Sequence, residues 1–103
     1  MYSLEFLPIA KNDIDNIIFY ISHNLNNISA ARKISKSFIN VINNITYFPY
    51  GIPVYKNNKN LKYEYRCAKV KNYLIFYTIN EKEKKITIVR VLYRKMNISS
   101  ILK

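Results

Sequence analysis

Apolar and polar residues alternate over residues 2–7, with Tyr2, Leu4 and Phe6 on one side, which predicts a short strand. Pro8 ends that strand and suits a first helical turn, where its fixed φ and missing N–H cost nothing. Ile14, Ile17, Ile18 and Ile21 then recur at helical spacing. Asp13 and Asp15 fall early in this helix, where the macrodipole favours carboxylates. Asn24 to Asn27 break the pattern, and Asn27 or Ser29 is the expected cap of a second helix. That helix is predicted from about Ser29 to Tyr47. Its stripe is Ala31, Ile34, Phe38, Val41/Ile42, Ile45 and Phe48, spaced by threes and fours. Phe48-Pro49 stops it, because the residue before a proline avoids the α region.

Residues 49–62 carry the only glycine, two prolines and three lysines, and read as a loop. Three strand-like runs follow, over 63–70, 72–79 and 86–93. The middle run, Asn-Tyr-Leu-Ile-Phe-Tyr-Thr-Ile, is apolar on both faces and is expected at the centre of the sheet. The short polar connections Lys71-Asn72 and 80–85 predict an antiparallel meander. A basic then apolar tail (Ile98, Ile101, Leu102) is expected to form one helical turn docked on the sheet. The order is therefore β-α-α-β-β-β. This is an α+β fold, a helical hairpin packed on one face of an antiparallel sheet. The opposite face is the expected working surface. The chain, 103 residues long, is read as a single domain over residues 1–103.

Charge changes the picture more than composition does. The net charge is +11. Residues 1–50 hold four cations against three carboxylates, while residues 51–103 hold thirteen against three. The Ile/Asn/Lys/Tyr-rich alphabet matches A/T-rich codons, but a codon habit acts on both halves alike. The asymmetry points to a polyanionic partner, nucleic acid or an acidic protein segment. One cysteine (Cys67) excludes an internal disulfide, and the lone His23 argues against a zinc site. No run approaches the length of a membrane span and no secretory signal is visible, so a cytoplasmic location and no membrane partner are the expectations.

The standard catalytic signatures are absent: no phosphate-binding glycine loop, no Gly-x-Ser-x-Gly, no His-Glu-x-x-His, no paired carboxylates. Cys67 reads as a core thiol and His23 as a surface residue at a helix end. No metal, cofactor or small-molecule substrate is expected. What is left is a set of basic and aromatic residues on and just after the strands: Tyr65, Arg66, Lys69 and Lys71, then Tyr73 and Tyr77, then Arg90, Tyr93, Arg94 and Lys95. Arginine and tyrosine together allow phosphate binding and base stacking. They also supply the cation, base and acid that metal-free RNA cleavage needs, although the ordinary pKa values of Lys and Tyr make them poor bases at pH 7.

Five pieces in order give the chain a family resemblance. They are the opening Tyr2-Ser-Leu-Glu-Phe-Leu-Pro-Ile-Ala10, the Ala30-Ala31 pair, Phe48-Pro49-Tyr-Gly51-Ile-Pro53, Tyr65-Arg66 leading into Asn72-Tyr73-Leu-Ile-Phe-Tyr77, and Ile88-Val-Arg90-Val-Leu-Tyr93-Arg94-Lys95. The chain resembles the RelE/ParE superfamily of bacterial type II toxin–antitoxin toxins over nearly its whole length. The resemblance implies a small toxin that inhibits growth and is neutralised by a cognate acidic antitoxin. Its target is then either DNA gyrase, poisoned without nuclease chemistry (ParE-like), or mRNA cut on the ribosome (RelE-like mRNA interferase). In the second case Arg66, Tyr93 and Arg94 are the catalytic candidates of a metal-free endoribonuclease. In either case Lys69, Lys71, Arg90 and Lys95 are the target- or nucleic-acid-binding candidates. Leu74 follows Tyr73 where the RelE-like branch has arginine, and nothing aromatic or imidazole follows Tyr93. These departures favour the ParE-like branch.

Overall fold

A computed structural model of the chain describes residues 1–56 and 63–102. Strand β1 (Ser3–Phe6) leads into helix α1 (Pro8–Phe19) with Pro8 at its first turn. Helix α1 runs on as a π-helical turn over Tyr20–Asn24, closed by the Leu25 N–H donating to the Tyr20 carbonyl at 3.0 Å. Helix α2 (Ile28–Tyr47) begins one residue before the expected start. Asn27 caps it, its side-chain oxygen accepting from Ala30 N at 2.9 Å.

Helix α2 buries Ala31, Ile34, Phe38, Ile42 and Ile45 as the spacing predicts. Phe48 departs from the stripe and is exposed. It sits past the last turn at φ −134°, ψ 63°, where the chain has turned away to enter a 3₁₀ turn at Pro49–Gly51. Strands β2 (Arg66–Val70), β3 (Tyr73–Asn80) and β4 (Lys85–Tyr93) form the antiparallel meander. The part of the expected 49–62 loop from 57 to 62 lies outside the described residues.

The sheet order is β1-β4-β3-β2, with β1 parallel to β4. The sheet is therefore mixed, not wholly antiparallel. The meander leaves one edge of β4 open. Helix α2 returns the chain to the end of the molecule where β1 and β4 both start, as the Tyr2 N–H to Thr46 carbonyl bond (3.1 Å) and the Ser3 N–H to Lys84 carbonyl bond (2.9 Å) show. Two strands that begin at the same end and lie side by side must run parallel.

The helical hairpin covers one face. There Phe38 and Ile45 of α2 and Ala10 of α1 pack with Ile75 and Tyr77 of β3 and Ile86 and Ile88 of β4. The other face is not open over its full extent. Phe76 and Leu92 on that side are covered by Tyr65 and by the helical turn α3 (Ile98–Ile101) with Leu102. The tail thus docks as its apolar positions predict, and it removes part of the expected working surface from solvent.

Candidate functional site

The β2–β3 connection is a two-residue turn, Lys71-Asn72, which demands positive φ and gets it at Lys71 (54°). The tightness of the turn brings Val70 opposite Tyr73, and Tyr73 opposite Tyr93 on β4. The backbone N–H of Arg94 then donates to the Asn72 carbonyl at 2.9 Å, tying the exit of β4 to the same turn. Lys71, Arg94 and Lys95 are exposed around this end, and Tyr93 is 38% exposed. The Tyr73 and Tyr93 rings meet edge to face at 5.9 Å, and Phe38 backs Tyr73 at 5.9 Å. Burial raises the Tyr73 phenol pKa, with further contributions from the neighbouring phenols of Tyr93 and Tyr20.

Arg66 is elsewhere. It opens β2 opposite Tyr77, four residues along β3 from Tyr73, a separation of about 13 Å at strand rise. Its guanidinium is 14% exposed, donates to the Ile52 carbonyl, lies 5.0 Å from the Tyr50 ring centroid and stands 4.0 Å from Glu64. The Tyr77 hydroxyl donates to the Pro49 carbonyl at 2.7 Å. Arg66 and Tyr77 thus hold the 49–52 turn against the end of the sheet. The structure does not bring Arg66 together with Tyr93 and Arg94.

Arg90, expected to face a target, has an internal partner. Its Nε and Nη2 donate to Asp13 Oδ2 and Oδ1 at 2.8 and 2.9 Å, and the backbone N–H of Val91 donates to Asp13 Oδ2 at 2.9 Å. The cause lies in the sheet. β4 opposes Phe76 with Arg90 and Tyr77 with Ile88, so Val89 is an extra residue and the strand bulges. Beyond Ile88, β1 has ended, and among the described residues no strand pairs that edge of β4. Asp13 takes the missing strand's place as acceptor. Asp13 is six residues into α1, so it serves this clasp and not the helix dipole. Its phase gives it away in retrospect: it is a carboxylate three residues after fully buried Ala10 and four before Ile17, on the apolar stripe.

Of the seven sequence-derived candidates, then, Lys71, Tyr93, Arg94 and Lys95 come together. Lys69 is exposed near them, opposite Leu74, on the sheet's other face. Tyr20 was not anticipated. Its link to the site is tertiary, through the π-helical turn that ends α1, and no local sequence signal reports it. Cys67 is half-buried and its thiol is pushed up to about 11 by burial. His23 is exposed and stacks on Phe19 at 4.2 Å. Among the described residues no cluster of three His, Cys, Asp or Glu side chains is placed to hold a metal, and no helix is long and apolar enough to cross a membrane.

This architecture defines a class: a four-stranded sheet backed by a helical hairpin, with cations gathered at one end. The same fold occurs in solved toxin–antitoxin structures. A chain of the chromosomal ParDE system from P. aeruginosa superposes with a TM-score of 0.71 at 16% identity, over 90% of this chain and 96% of that one. A chain of the archaeal RelE–RelB complex from Pyrococcus horikoshii gives 0.62 at 15% identity, over 91% and 96%. A chain of a RelBE complex from Mycobacterium tuberculosis gives 0.57 at 16%, over 90% and 98%. No curated protein matches the sequence significantly. Residues 4–98 match the family described as ParE toxin of type II toxin-antitoxin system, parDE, and the chain belongs to that family.

Proposed function

We propose that the chain is a growth-inhibiting toxin that poisons DNA gyrase and is held inactive by a cognate acidic antitoxin. The observation that carries the reading is the match of residues 4–98 to the ParE family. Two structural features support it. Lys71, Tyr93, Arg94 and Lys95 form one exposed cationic and aromatic end suited to a polyanionic target. Arg66 stands about 13 Å of strand away from the Tyr93 level, and Arg90 is engaged by Asp13. Of the three catalytic candidates Arg66 is therefore apart from Tyr93 and Arg94, which favours inhibition by binding over cleavage.

The antitoxin reading rests on charge and on the company of the fold. The P. aeruginosa, P. horikoshii and M. tuberculosis structures are of toxin–antitoxin systems. An acidic, partly disordered segment folding onto this chain would neutralise its +11. Inducing the chain in a sensitive bacterial host tests the target. Filamentation with DNA damage is the expected outcome. A rapid stop in translation with cut mRNA would instead establish the ribosome-dependent endonuclease.

A further inference from the structure

The charges of this molecule are sorted along the sheet. Glu81 and Glu83 lie on the β3–β4 turn, Glu5 pairs with Lys85 at 3.2 Å, Glu64 stands by Arg66, and Asp13 is engaged by Arg90. Glu5, Glu64, Glu81 and Glu83 lie towards the other end of the sheet from the Lys71-Asn72 turn, and Asp13, nearer to it, is taken up by Arg90 and the Val91 N–H. Among the described residues none of Lys69, Lys71, Arg94 and Lys95 has an ion-pair partner. Arg32, Lys33 and Lys36 are exposed on α2, off the stripe it buries. They precede Phe38 on α2, and Phe38 is the residue whose ring meets Tyr73.

Aromatic surface lies in the middle of these cations. Tyr73 and Tyr93 are directly paired across β3 and β4, with their rings edge to face at 5.9 Å. Tyr93 is 38% exposed. A part-exposed phenol beside lysines and arginines gives this end stacking surface as well as charge.

We infer that Tyr73 and Tyr93, framed by Lys71, Arg94 and Lys95, form a binding surface for an unpaired DNA strand. The cations hold successive phosphates and the rings stack exposed bases. This deepens the gyrase reading by naming DNA, not gyrase protein, as what this end of the toxin touches. Two physical signatures follow. Stacking needs unpaired bases, so a duplex offers only its phosphates. Counterion release on a single strand gives a log–log salt slope of about −0.7 per phosphate held, so three or four phosphates give about −2 to −3.

Fluorescence anisotropy with the purified full chain and a labelled 12-nucleotide oligodeoxynucleotide tests this without gyrase. The expected result is binding at least fivefold tighter to the single strand than to the same sequence as a duplex, with the slope above. Tyr93→Leu should weaken it at least fivefold with the slope unchanged, and Tyr93→Phe should bind as the parent does. Arg94→Ala should weaken it and make the slope shallower by about one phosphate. Lys82→Ala, at the opposite turn, should stay within twofold. Circular dichroism melts confirm that each variant is folded. Equal affinity for duplex and single strand, or Lys82→Ala as damaging as Arg94→Ala, would overturn the proposal. So would an oligoribonucleotide of the same sequence binding tenfold tighter than DNA. A chain that binds the strand yet leaves gyrase untouched would sink the gyrase reading alone.

Discussion

Asp13 is the residue on which the C-terminal half of β4 depends, and its removal has a calculable cost. Its carboxylate accepts three hydrogen bonds of 2.8 to 2.9 Å while itself only 11% exposed, against an Arg90 side chain 23% exposed. In Asp13→Ala the Val91 N–H, on the stretch of β4 beyond the end of β1, loses its acceptor. A buried donor left unsatisfied costs about 1–3 kcal/mol. Arg90 is also left as a largely buried cation without a counter-ion, for which a fully buried pair would lose about 3–5 kcal/mol. Water reaching the part-exposed guanidinium lowers that figure, and the two losses share one group. A total of about 3 kcal/mol follows. In a domain this size each kcal/mol is worth about 4–8 °C, so Tm should fall by about 15 °C.

Urea unfolding is the assay, with the loss read as a shift of midpoint at constant m-value. Asp13→Asn, which keeps one acceptor oxygen, should lose less than Asp13→Ala. Arg90→Met removes the stranded charge, so Asp13→Ala combined with Arg90→Met should cost less than the sum of the two by at least about 1 kcal/mol. A loss below about 1 kcal/mol for Asp13→Ala, or strict additivity in the double variant, would refute the clasp.

Phe38 is 2% exposed and seated against Tyr73, so Phe38→Ala should cost about 3–5 kcal/mol by equilibrium unfolding, and a loss under about 1 kcal/mol would mean the core is misassigned. Burial pushes the Tyr77 phenol up to about 12, against about 10 in the unfolded chain. Between those values the unfolded chain binds fewer protons than the native one, so the Tyr77 contribution to stability should be lost from pH 10 to 12, following a loss from the raised Cys67 thiol that begins near pH 9. The alkaline loss should be smaller in Tyr77→Phe, with the Cys67 and Tyr73 parts remaining, and that variant gives up about 1 kcal/mol at neutral pH with the bond to the Pro49 carbonyl. Affinity for the antitoxin should fall as salt rises from 50 to 500 mM, with buried apolar contacts keeping a salt-resistant part. A flat titration would show that the charge asymmetry is not the docking surface.

Where a structural feature depends on residues near in sequence, its pattern was readable. The stripe from Ala31 to Ile45 gave α2, Asn27 gave its cap, and Lys71-Asn72 gave the hairpin turn that sets the register of Tyr73 on Tyr93. Features set by long-range pairing were not readable. Whether β1 lies parallel or antiparallel depends on where the helical hairpin delivers the chain, not on anything in Ser3–Phe6. The bulge at Val89 leaves the apolar pattern of β4 nearly intact while turning Arg90 towards Asp13, seventy-seven residues away. The same limit applies to the candidate site. Tyr93, Arg94 and Lys95 are neighbours in sequence and stay together, whereas Arg66 shared only a residue type with them and was sent to the other end of β2 by its pairing with Tyr77.

The central claim is that the cationic end built around Arg94 lets this ParE-family chain poison gyrase without cutting RNA. The most direct measurement incubates the purified chain with DNA gyrase and a supercoiled plasmid, and in parallel with translating ribosomes and mRNA, beside the Arg94→Ala variant. Arg94 is exposed, so the variant should stay within about 1 kcal/mol of the parent in stability. The account predicts linear, gyrase-cleaved plasmid with the parent chain, little or none with Arg94→Ala, partial recovery with Arg94→Lys, and intact mRNA throughout. Cut mRNA with gyrase unaffected, or full gyrase poisoning by folded Arg94→Ala, would contradict it.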